Sequence, residues 1–307
     1  MSKASAPGKI ILFGEHAVVY ARPAIAVPVF QVRAEVELER LEIERLEIDA
    51  ADLDKRYTLQ DALPDDPIAT IIRLTCARLN VEPNGLRVRV RSTIPIGGGL
   101  GSGAAVSVAI ARAFAQHFSV TLSAGEASAL AFEVEKLHHG TPSGIDNTVI
   151  AFEQPVYFVR DQPIESFRVA RPFTIAIADT GIAAPTKIAV GDVRRAWQAE
   201  RARYESLFDQ IGSIAQKARA AIERGNVESL GALMNANQAL LRALGVSSPE
   251  IETLVDAALR AGASGVKLCG AGRGGNVIAL VDEVTQDKVA RAWRDAGARN
   301  VIITQVN

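Results

Sequence analysis

Alternation of apolar and polar residues predicts strands in the first hundred residues of the chain. Residues 4–13 and 24–38 are rich in Ile, Val and Phe, and residues 86–91 alternate between an apolar residue and arginine. A period of two places one face of a strand in the core and the other in solvent. Residues 68–79 instead have apolar positions at helical spacing, which predicts a helix that follows a loop over 61–67.

The segment from Glu35 to Asp49 alternates acidic and aliphatic residues, and the pentapeptide at 39–43 is repeated at once at 44–48. A period of five residues matches no repeat architecture. We therefore interpret the segment locally, either as two solvated edge strands or as one strand with a bulge.

The middle of the chain predicts helices followed by irregular structure. A buried helix is expected over 104–118, and a second should run from a cap at Ser123, with Glu126 three residues later, to about Leu137. After these helices we expect irregular structure over 138–147 and strands over 148–152 and 156–160.

Longer helices dominate the second half. Apolar residues at helical spacing predict one helix over 188–224, which Gly225 ends. Because strands and helices intermix without strict βαβ alternation, the pattern favours an α+β fold in two domains. We expect the domain boundary between about 171 and 181. The remaining predicted segments are helices at 227–244, 249–262 and 287–296 and strands at 173–178, 266–269, 276–281 and 300–306.

Composition narrows the class of protein. The chain has 307 residues, a net charge of −1 and 48% hydrophobic residues, and its mean hydropathy is +0.13. This balance is typical of a soluble globular protein and gives no overall attraction to nucleic acid or to an anionic membrane. We find no signal peptide and no apolar run long enough to span a bilayer. With two cysteines, Cys76 and Cys269, the simplest location is the reducing cytoplasm.

Two glycine-rich stretches, residues 95–105 and 270–275, are the first candidates for chemistry. The first opens directly into a helix-forming segment, so that unpaired N–H groups and the positive end of the helix dipole would face a bound anion such as phosphate. Flexible turns are the alternative. The Walker pattern is absent, and no parallel unit supports a dinucleotide fingerprint.

Three charged residues strengthen the phosphate hypothesis. Lys9 lies in an otherwise apolar strand, where it needs a partner or access to solvent. Glu135 and Asp146 flank a Gly- and Pro-containing loop, and two carboxylates beside an anion site suit magnesium ligation and general-base chemistry. Taken alone, Lys9 could be a lysine that snorkels to solvent at a strand end, and the two acids could be surface residues or caps.

Longer motifs contain two of these residues, Lys9 and Asp146. Residues 7–20 read PGKIILFGEHAVVY, residues 99–102 read GLGS, and residues 267–275 read KLCGAGRGG. In this order they resemble the three signatures of the GHMP small-molecule kinases. Within that superfamily, residues 14–19 together with HGTPSGIDN at 139–147 are most similar to the mevalonate kinase family.

This resemblance implies a two-domain α+β GHMP kinase fold with the active site in the cleft between the domains. The N-terminal domain, over 1–175, would contain the ATP-phosphate loop and the catalytic residues. The C-terminal domain, over 176–307, would be ferredoxin-like and contain the second glycine-rich loop. The implied reaction is ATP-dependent phosphorylation of the 5-hydroxyl of mevalonate in isoprenoid biosynthesis, with ATP and Mg²⁺ bound.

The resemblance also implies residue roles, each carried over by position. Asp146 is the base that faces the hydroxyl, Lys9 lies beside it, and Glu135 is the magnesium carboxylate, assisted by Ser102. The implied substrate residues are Glu15, His16, Ser143, Gly144, Thr186 and Gly272. The implied phosphate-binding residues are Pro95, Ile96, Gly97, Gly98, Gly99, Leu100, Gly101, Ser102, Gly103 and Ala104.

Two positions depart from the family pattern. Gly103 replaces a serine whose hydroxyl the family uses for magnesium, so Ser102 or a water must take that place. Ala21 replaces a common glycine, with a minor expected effect. Sister kinases on the same scaffold stay open as alternatives, namely phosphomevalonate kinase, mevalonate 3-kinase and homoserine kinase. A non-catalytic nucleotide-binding homologue, which Gly103 makes credible, and a homodimer also stay open.

Several other residues are interpreted as structural. His138 and His139 are neighbours whose side chains diverge, so helix-end and loop roles are favoured over a metal pair. Cys269 is expected to be a small buried side chain, without a partner that would make it a nucleophile. Three aromatic residues at helical spacing are expected to pack in the core: Trp197, Tyr204 and Phe208.

Overall fold

The computed structural model describes residues 1–95, 98–139, 142–183 and 186–307, without the side chains of His138 and His139. These residues form two compact units, and neither unit is a continuous stretch of sequence. Unit 1 contains residues 1–9, 32–95 and 100–153, and unit 2 contains residues 10–31, 96–99 and 154–307. The predicted division into family domains at 1–175 and 176–307 stays a prediction.

The strands of the first half follow the predicted alternation. They are β1 (Ser2–Phe13), β2 (Ala24–Arg40), β3 (Leu46–Ala50), β4 (Lys55–Thr58) and β5 (Leu86–Ser92). In unit 1, β3 lies between β4 and β5, and β5 pairs antiparallel with the end of β2. The prediction of edge strands over 35–49 is therefore wrong. The acidic residues mark one solvent-facing side of interior strands, where Glu47 pairs with Arg87 and Glu37 with Arg89 of β5.

Four helices complete unit 1: α1 (Pro67–Leu79), α2 (Ser102–His117), α3 (Ala124–His139) and α4 (Ile145–Phe152). Asp66 caps α1 by accepting the Ala69 N–H at 2.7 Å. The predicted cap of α3 is confirmed, since Ser123 and Glu126 exchange hydrogen bonds between side chain and backbone N–H. The helix α2 is largely buried and packs against the other three.

The prediction of a strand at 148–152 is wrong, because this segment is helical. Regular structure also begins earlier than the predicted residue 148. Residues 145–152 are α4, because Gly144 adopts a left-handed φ of 89° that turns the chain into a helix. The Thr148 hydroxyl then donates to the Gly144 carbonyl at 2.7 Å. The predicted irregular segment is correspondingly shorter, since α3 extends to His139.

Unit 2 is built on an antiparallel sheet with helices packed against it. The sheet order is β11–β8–β10–β9, made of β8 (Phe173–Asp179), β9 (Gly265–Cys269), β10 (Asn276–Val281) and β11 (Asn300–Val306). The short strands β6 (Val156–Phe158) and β7 (Glu165–Ser166) pair with each other, and β6 pairs with the start of β2.

The helices of unit 2 are α5 (Thr186–Ala199), α6 (Arg201–Glu223), α7 (Glu228–Ala243), α8 (Pro249–Arg260) and α9 (Gln286–Asp295). The single helix predicted over 188–224 is divided at Glu200, whose backbone leaves the helical region at φ −126° and ψ 53°. Tyr204 and Phe208 lie in the core, with Trp197 packed against it, as predicted. No helix in the described part of the chain is long and apolar enough to cross a membrane.

Candidate active site

The first glycine-rich stretch ends at the start of α2, in unit 1. Gly101 is the N-cap residue with a left-handed φ of 76°, and no side chain among the described residues caps the helix. The N–H groups of the first turn have no acceptor within the helix, and they lie at the positive end of its dipole. This turn, at Ser102, Gly103 and Ala104, is suited to bind an anion.

Gly101 brings the loop close to Lys9. A Cβ at this position would lie 2.7 Å from Ile150 Cδ1 and 3.0 Å from Lys9 Cγ, so only glycine fits. The Leu100 carbonyl accepts the Lys9 backbone N–H at 3.0 Å. The lysine is thereby fixed next to the predicted phosphate-binding turn. Ile96 and Gly97 of the predicted loop lie outside the described residues.

Lys9 forms an ion pair with Asp146, which lies in the first turn of α4. Lys9 Nζ is 2.8 Å from Asp146 Oδ1, and the lysine side chain is only 3% exposed whereas the aspartate is 32% exposed. A snorkelling lysine would reach solvent, and this one does not. The carboxylate is the more accessible partner, which suits a group that must meet a substrate.

Glu135 of α3 is electrostatically coupled to this pair. The pKa of Glu135 is raised to about 7, first by burial and then by the charge of Asp146, while Lys9 opposes both effects. A Cβ on Gly103 would lie 3.1 Å from Glu135 Oε1. The absence of a side chain at 103 therefore leaves room for this carboxylate beside the first turn of α2.

The donor set of this cluster fits magnesium better than a softer metal. Glu135 and Asp146 offer carboxylate oxygens, and Ser102, the first residue of α2, offers a hydroxyl. No group of three His, Cys, Asp or Glu side chains is placed to hold a metal in the described ranges. Mg²⁺ is commonly held by one or two carboxylates, with waters and substrate phosphates as its other ligands. Two coupled carboxylates near a phosphate-binding turn meet that requirement.

A second cluster of predicted residues lies in unit 2, after β1. The Glu15 carboxylate forms an ion pair with Lys267 of β9, and both side chains are completely buried. The adjacent His16 donates from Nε2 to the Ala271 carbonyl at 2.9 Å. Burial is the main reason that the pKa of His16 falls to about 4, although its hydrogen bond to Ala271 opposes the change. His16 is therefore neutral at pH 7.

The second glycine-rich loop connects β9 to β10 and is fixed by close backbone approaches. Gly272 has φ 75°, and a Cβ there would overlap the Val246 carbonyl oxygen. Gly274 has φ 138°, and its Cβ would lie 2.5 Å from the Ile182 oxygen. Asn276 donates from Nδ2 to the Gly98 carbonyl, which holds Gly98 of the first glycine-rich stretch within unit 2.

The other predicted substrate residues are found in both units. Ser143 and Gly144 precede α4, and the Ser143 hydroxyl accepts the Ile145 N–H at 3.4 Å. Thr186 is the exposed first residue of α5. No contact among the described residues joins Thr186 to His16 or Gly272, so its role stays a prediction.

Three contacts within unit 2 were not predicted from the sequence. They are the Lys267–Glu15 pair, the bond from Asn276 to Gly98, and the ion pair of Arg273 with Asp192 of α5. Lys267 was detectable, because a lysine between Val266 and Leu268 in an apolar strand needs a partner for the same reason as Lys9. Cys269 is buried and its thiol donates to the Ile11 carbonyl at 3.4 Å, which confirms its structural interpretation.

Comparisons with known proteins agree with the geometry. A model of the GHMP kinase N-terminal domain matches residues 67–154, and a model of the GHMP kinase C-terminal domain matches residues 218–299. The chain is 36% identical to a mevalonate kinase of Thermococcus sibiricus, over 97% of this chain and 94% of that one. It is 37% identical to a mevalonate kinase of Aeropyrum pernix, over 92% of this chain and 89% of that one.

A solved structure extends the likeness to the fold. The crystal structure of L. major mevalonate kinase in complex with R-mevalonate superposes with a TM-score of 0.87 at 28% identity, covering 100% of this chain and 96% of that one. The resemblance inferred from the motifs is confirmed. Relatives above 30% identity along almost the entire chain, with both domain models matched in order, show that this protein belongs to the GHMP kinase family, in the group that contains the mevalonate kinases.

Proposed function

We propose that the protein transfers the γ-phosphoryl group of ATP to the 5-hydroxyl of R-mevalonate, giving 5-phosphomevalonate and ADP. The observation that carries the proposal is the ion pair of Lys9 with Asp146, 2.8 Å long, in the unit that also contains the uncapped start of α2. A base, a compensating cation and a phosphate-binding turn are the parts that phosphoryl transfer to an alcohol requires.

In the proposed reaction the hydroxyl oxygen attacks the γ-phosphorus while the bond to the β,γ-bridging oxygen breaks. The hydroxyl proton passes to Asp146, which is the partly accessible member of the pair. Lys9 keeps that carboxylate in place and compensates negative charge on the transferred group. Because the transition state is largely loose, alignment by these residues contributes more than removal of the proton.

Magnesium and the triphosphate are assigned to the same cluster. Glu135 would hold the ion, with the Ser102 hydroxyl or a water in place of the hydroxyl that Gly103 lacks. When bound, Mg²⁺ neutralises charge on the β- and γ-phosphates. The backbone N–H groups of 97–104 would hold the phosphates, as at other helix N-termini.

Mevalonate is assigned to the residues implied by the resemblance: Glu15, His16, Ser143, Gly144, Thr186 and Gly272. The R-mevalonate in the L. major structure supports this choice of acceptor at 28% identity. We place the protein in the cytoplasm, a location supported by its two buried cysteines, neither of which forms a disulfide. The homodimer is a further part of the proposal, which light scattering of the purified protein tests.

The test of the acceptor is a panel of ADP-release assays with Mg²⁺ and ATP. Mevalonate, phosphomevalonate and homoserine are compared with a reaction that contains no acceptor, and the position of the new phosphate is read by ³¹P NMR. Turnover with mevalonate and phosphate on the 5-oxygen are expected. Activity confined to another acceptor would refute the proposal, and ATP binding without turnover would indicate a non-catalytic homologue.

The role of Asp146 is tested by Asp146→Ala, with Asp295→Asn in the exposed end of α9 as a control. Loss of the base should lower kcat by about a hundredfold or more, the usual scale of general acid–base contributions. The affinity for ATP should change little, because Asp146 faces the hydroxyl. A kcat within threefold of the wild-type value would remove Asp146 from the mechanism.

A further inference from the structure

The backbone at His16 has an uncommon conformation. Its φ is 61° and its ψ is −49°, and the Ala17 N–H donates to the Glu15 carbonyl, two residues earlier, at 2.7 Å. These values describe a γ-turn of the positive-φ type, which is rare and strained. Such conformations cost about 1–3 kcal/mol and persist only where surrounding groups hold them. His16 thus needs contacts that fix it from outside the turn.

Lys267 supplies one such contact, at Glu15, the residue that precedes His16. It lies in β9 opposite Ile278 of β10, and its Nζ reaches both the Glu15 carboxylate and, at 2.6 Å, the Leu268 carbonyl. Neither Lys267 nor Glu15 is exposed to solvent. Burying two charges is costly and is often no better for stability than a well-packed apolar pair. The pair therefore calls for an explanation other than stability.

The second contact fixes the ring of His16. A carbonyl oxygen can only accept, so the bond of Nε2 to the Ala271 oxygen at 2.9 Å places the imidazole proton on Nε2. Nδ1 then has a lone pair and no proton. No described residue bonds to Nδ1, which leaves this atom as an acceptor for a hydroxyl group and unsuited to a carboxylate.

We infer that Lys267 is a positioning residue: through its buried pair with Glu15 it holds the strained turn at His16, so that Nδ1 of a neutral imidazole accepts a hydrogen bond from a hydroxyl of the acceptor substrate. This inference rests on the proposed function for the identity of that acceptor. In this inference Glu15 supports the turn at His16, and His16 recognises a hydroxyl group of the substrate.

The experiment compares Glu15→Gln/Lys267→Met, which removes both buried charges together, with the milder Glu15→Asp. The control is Thr304→Val, a nearly isosteric change at a buried position of β11 in the same sheet. The KM for mevalonate should rise about tenfold in the double variant, as expected for loss of one well-placed hydrogen bond. Glu15→Asp should give a smaller rise. The KM for ATP should stay within twofold, and the control should match the wild type.

A spectroscopic measurement reports on His16 directly. The chain has 4 histidines, so ¹⁵N-labelled imidazole signals can be assigned by comparison with His16→Gln. Wild-type His16 should show a single Nε2–H tautomer, and the double variant should show mixed tautomers. If both variants keep the wild-type KM and the single tautomer, the inference is overturned. A wild-type protein inactive with mevalonate would instead refute the proposed function, while the tautomer would still test the positioning.

Discussion

Replacement of Glu135 by glutamine should stabilise the metal-free protein at alkaline pH. A carboxyl group whose pKa is higher in the folded state than in the unfolded state binds its proton more tightly when folded. Folding is then favoured at low pH and opposed as pH rises. For Glu135 the window runs from the ordinary value of 4.5 to about 7, and burial is the main cause. Glutamine keeps the shape of the side chain but has no charge to bury.

The size of the effect follows from the same values. A pKa moved from 4.5 to about 7 corresponds to roughly 3 kcal/mol, at about 1.4 kcal/mol per pH unit. Glu135 is not completely buried, and screening by solvent reduces the effect to about 2 kcal/mol. The wild-type protein should lose this stability progressively from about pH 5 to pH 8, whereas Glu135→Gln should not.

Urea denaturation in EDTA at pH 5, 6, 7 and 8 measures this difference. The matched control is Glu133→Gln on the same helix, because that carboxylate is 52% exposed and pairs with Lys136. Its stability relative to the wild type should be nearly independent of pH. If the gain of Glu135→Gln is the same at every pH, or shrinks toward pH 8, the reasoning about this buried carboxylate is wrong.

The remaining predictions concern the metal and the glycines. Addition of Mg²⁺ at pH 8 should raise the melting temperature of the wild type and leave that of Glu135→Gln nearly unchanged, which differential scanning fluorimetry records. Gly103→Ser places a Cβ 3.1 Å from Glu135 Oε1 and adds a hydroxyl, so half-maximal activity should need less Mg²⁺. An unchanged titration would show that position 103 does not face the metal. Gly272→Ala should lose about 2 kcal/mol or more, because its Cβ overlaps the Val246 carbonyl oxygen at a φ of 75°. Gly270→Ala, with φ 92° and nothing within 4 Å of its Cβ, should lose only about 1 kcal/mol in the same urea titration, and equal losses would contradict the steric explanation.

Periodicity and capping residues made much of the fold predictable. The helix α1 has an aspartate cap, a proline in its first turn and apolar residues at helical spacing, and all three signals agree. At 148–152 the signals conflicted, because a short apolar run is compatible with a strand or a buried helix. There the turn at Gly144 decided the outcome. At 35–49 the alternation was interpreted as edge strands, which was wrong, because alternation indicates one-sided burial and cannot tell an edge strand from an interior one.

The candidate site was predictable only in part. Lys9 stood out as a lone charge in an apolar strand, and the resemblance linked it to Asp146. The pair of Glu15 with Lys267 joins residues 252 positions apart, and no local pattern signals such a contact. The sequence did not predict the turn at His16 either. A positive φ is expected at glycine, whereas here it is imposed on a histidine by its partners.

The interleaved division of the chain has a consequence for its synthesis and for protein engineering. Residues 10–31 leave the ribosome early, but they belong to a unit that is otherwise completed by residues 96–99 and 154–307. That unit cannot finish folding until translation is nearly over, because contacts between residues 10–31 and 154–307 close a long loop. A cut after Glu153 would leave the C-terminal fragment without residues 10–31 and 96–99 of its own unit, whereas residues 1–153 contain all of unit 1. Co-expressed halves split there would have to reassociate before unit 2 could be completed, and a circular permutant that keeps residues 10–31 next to 154–307 would be the better design.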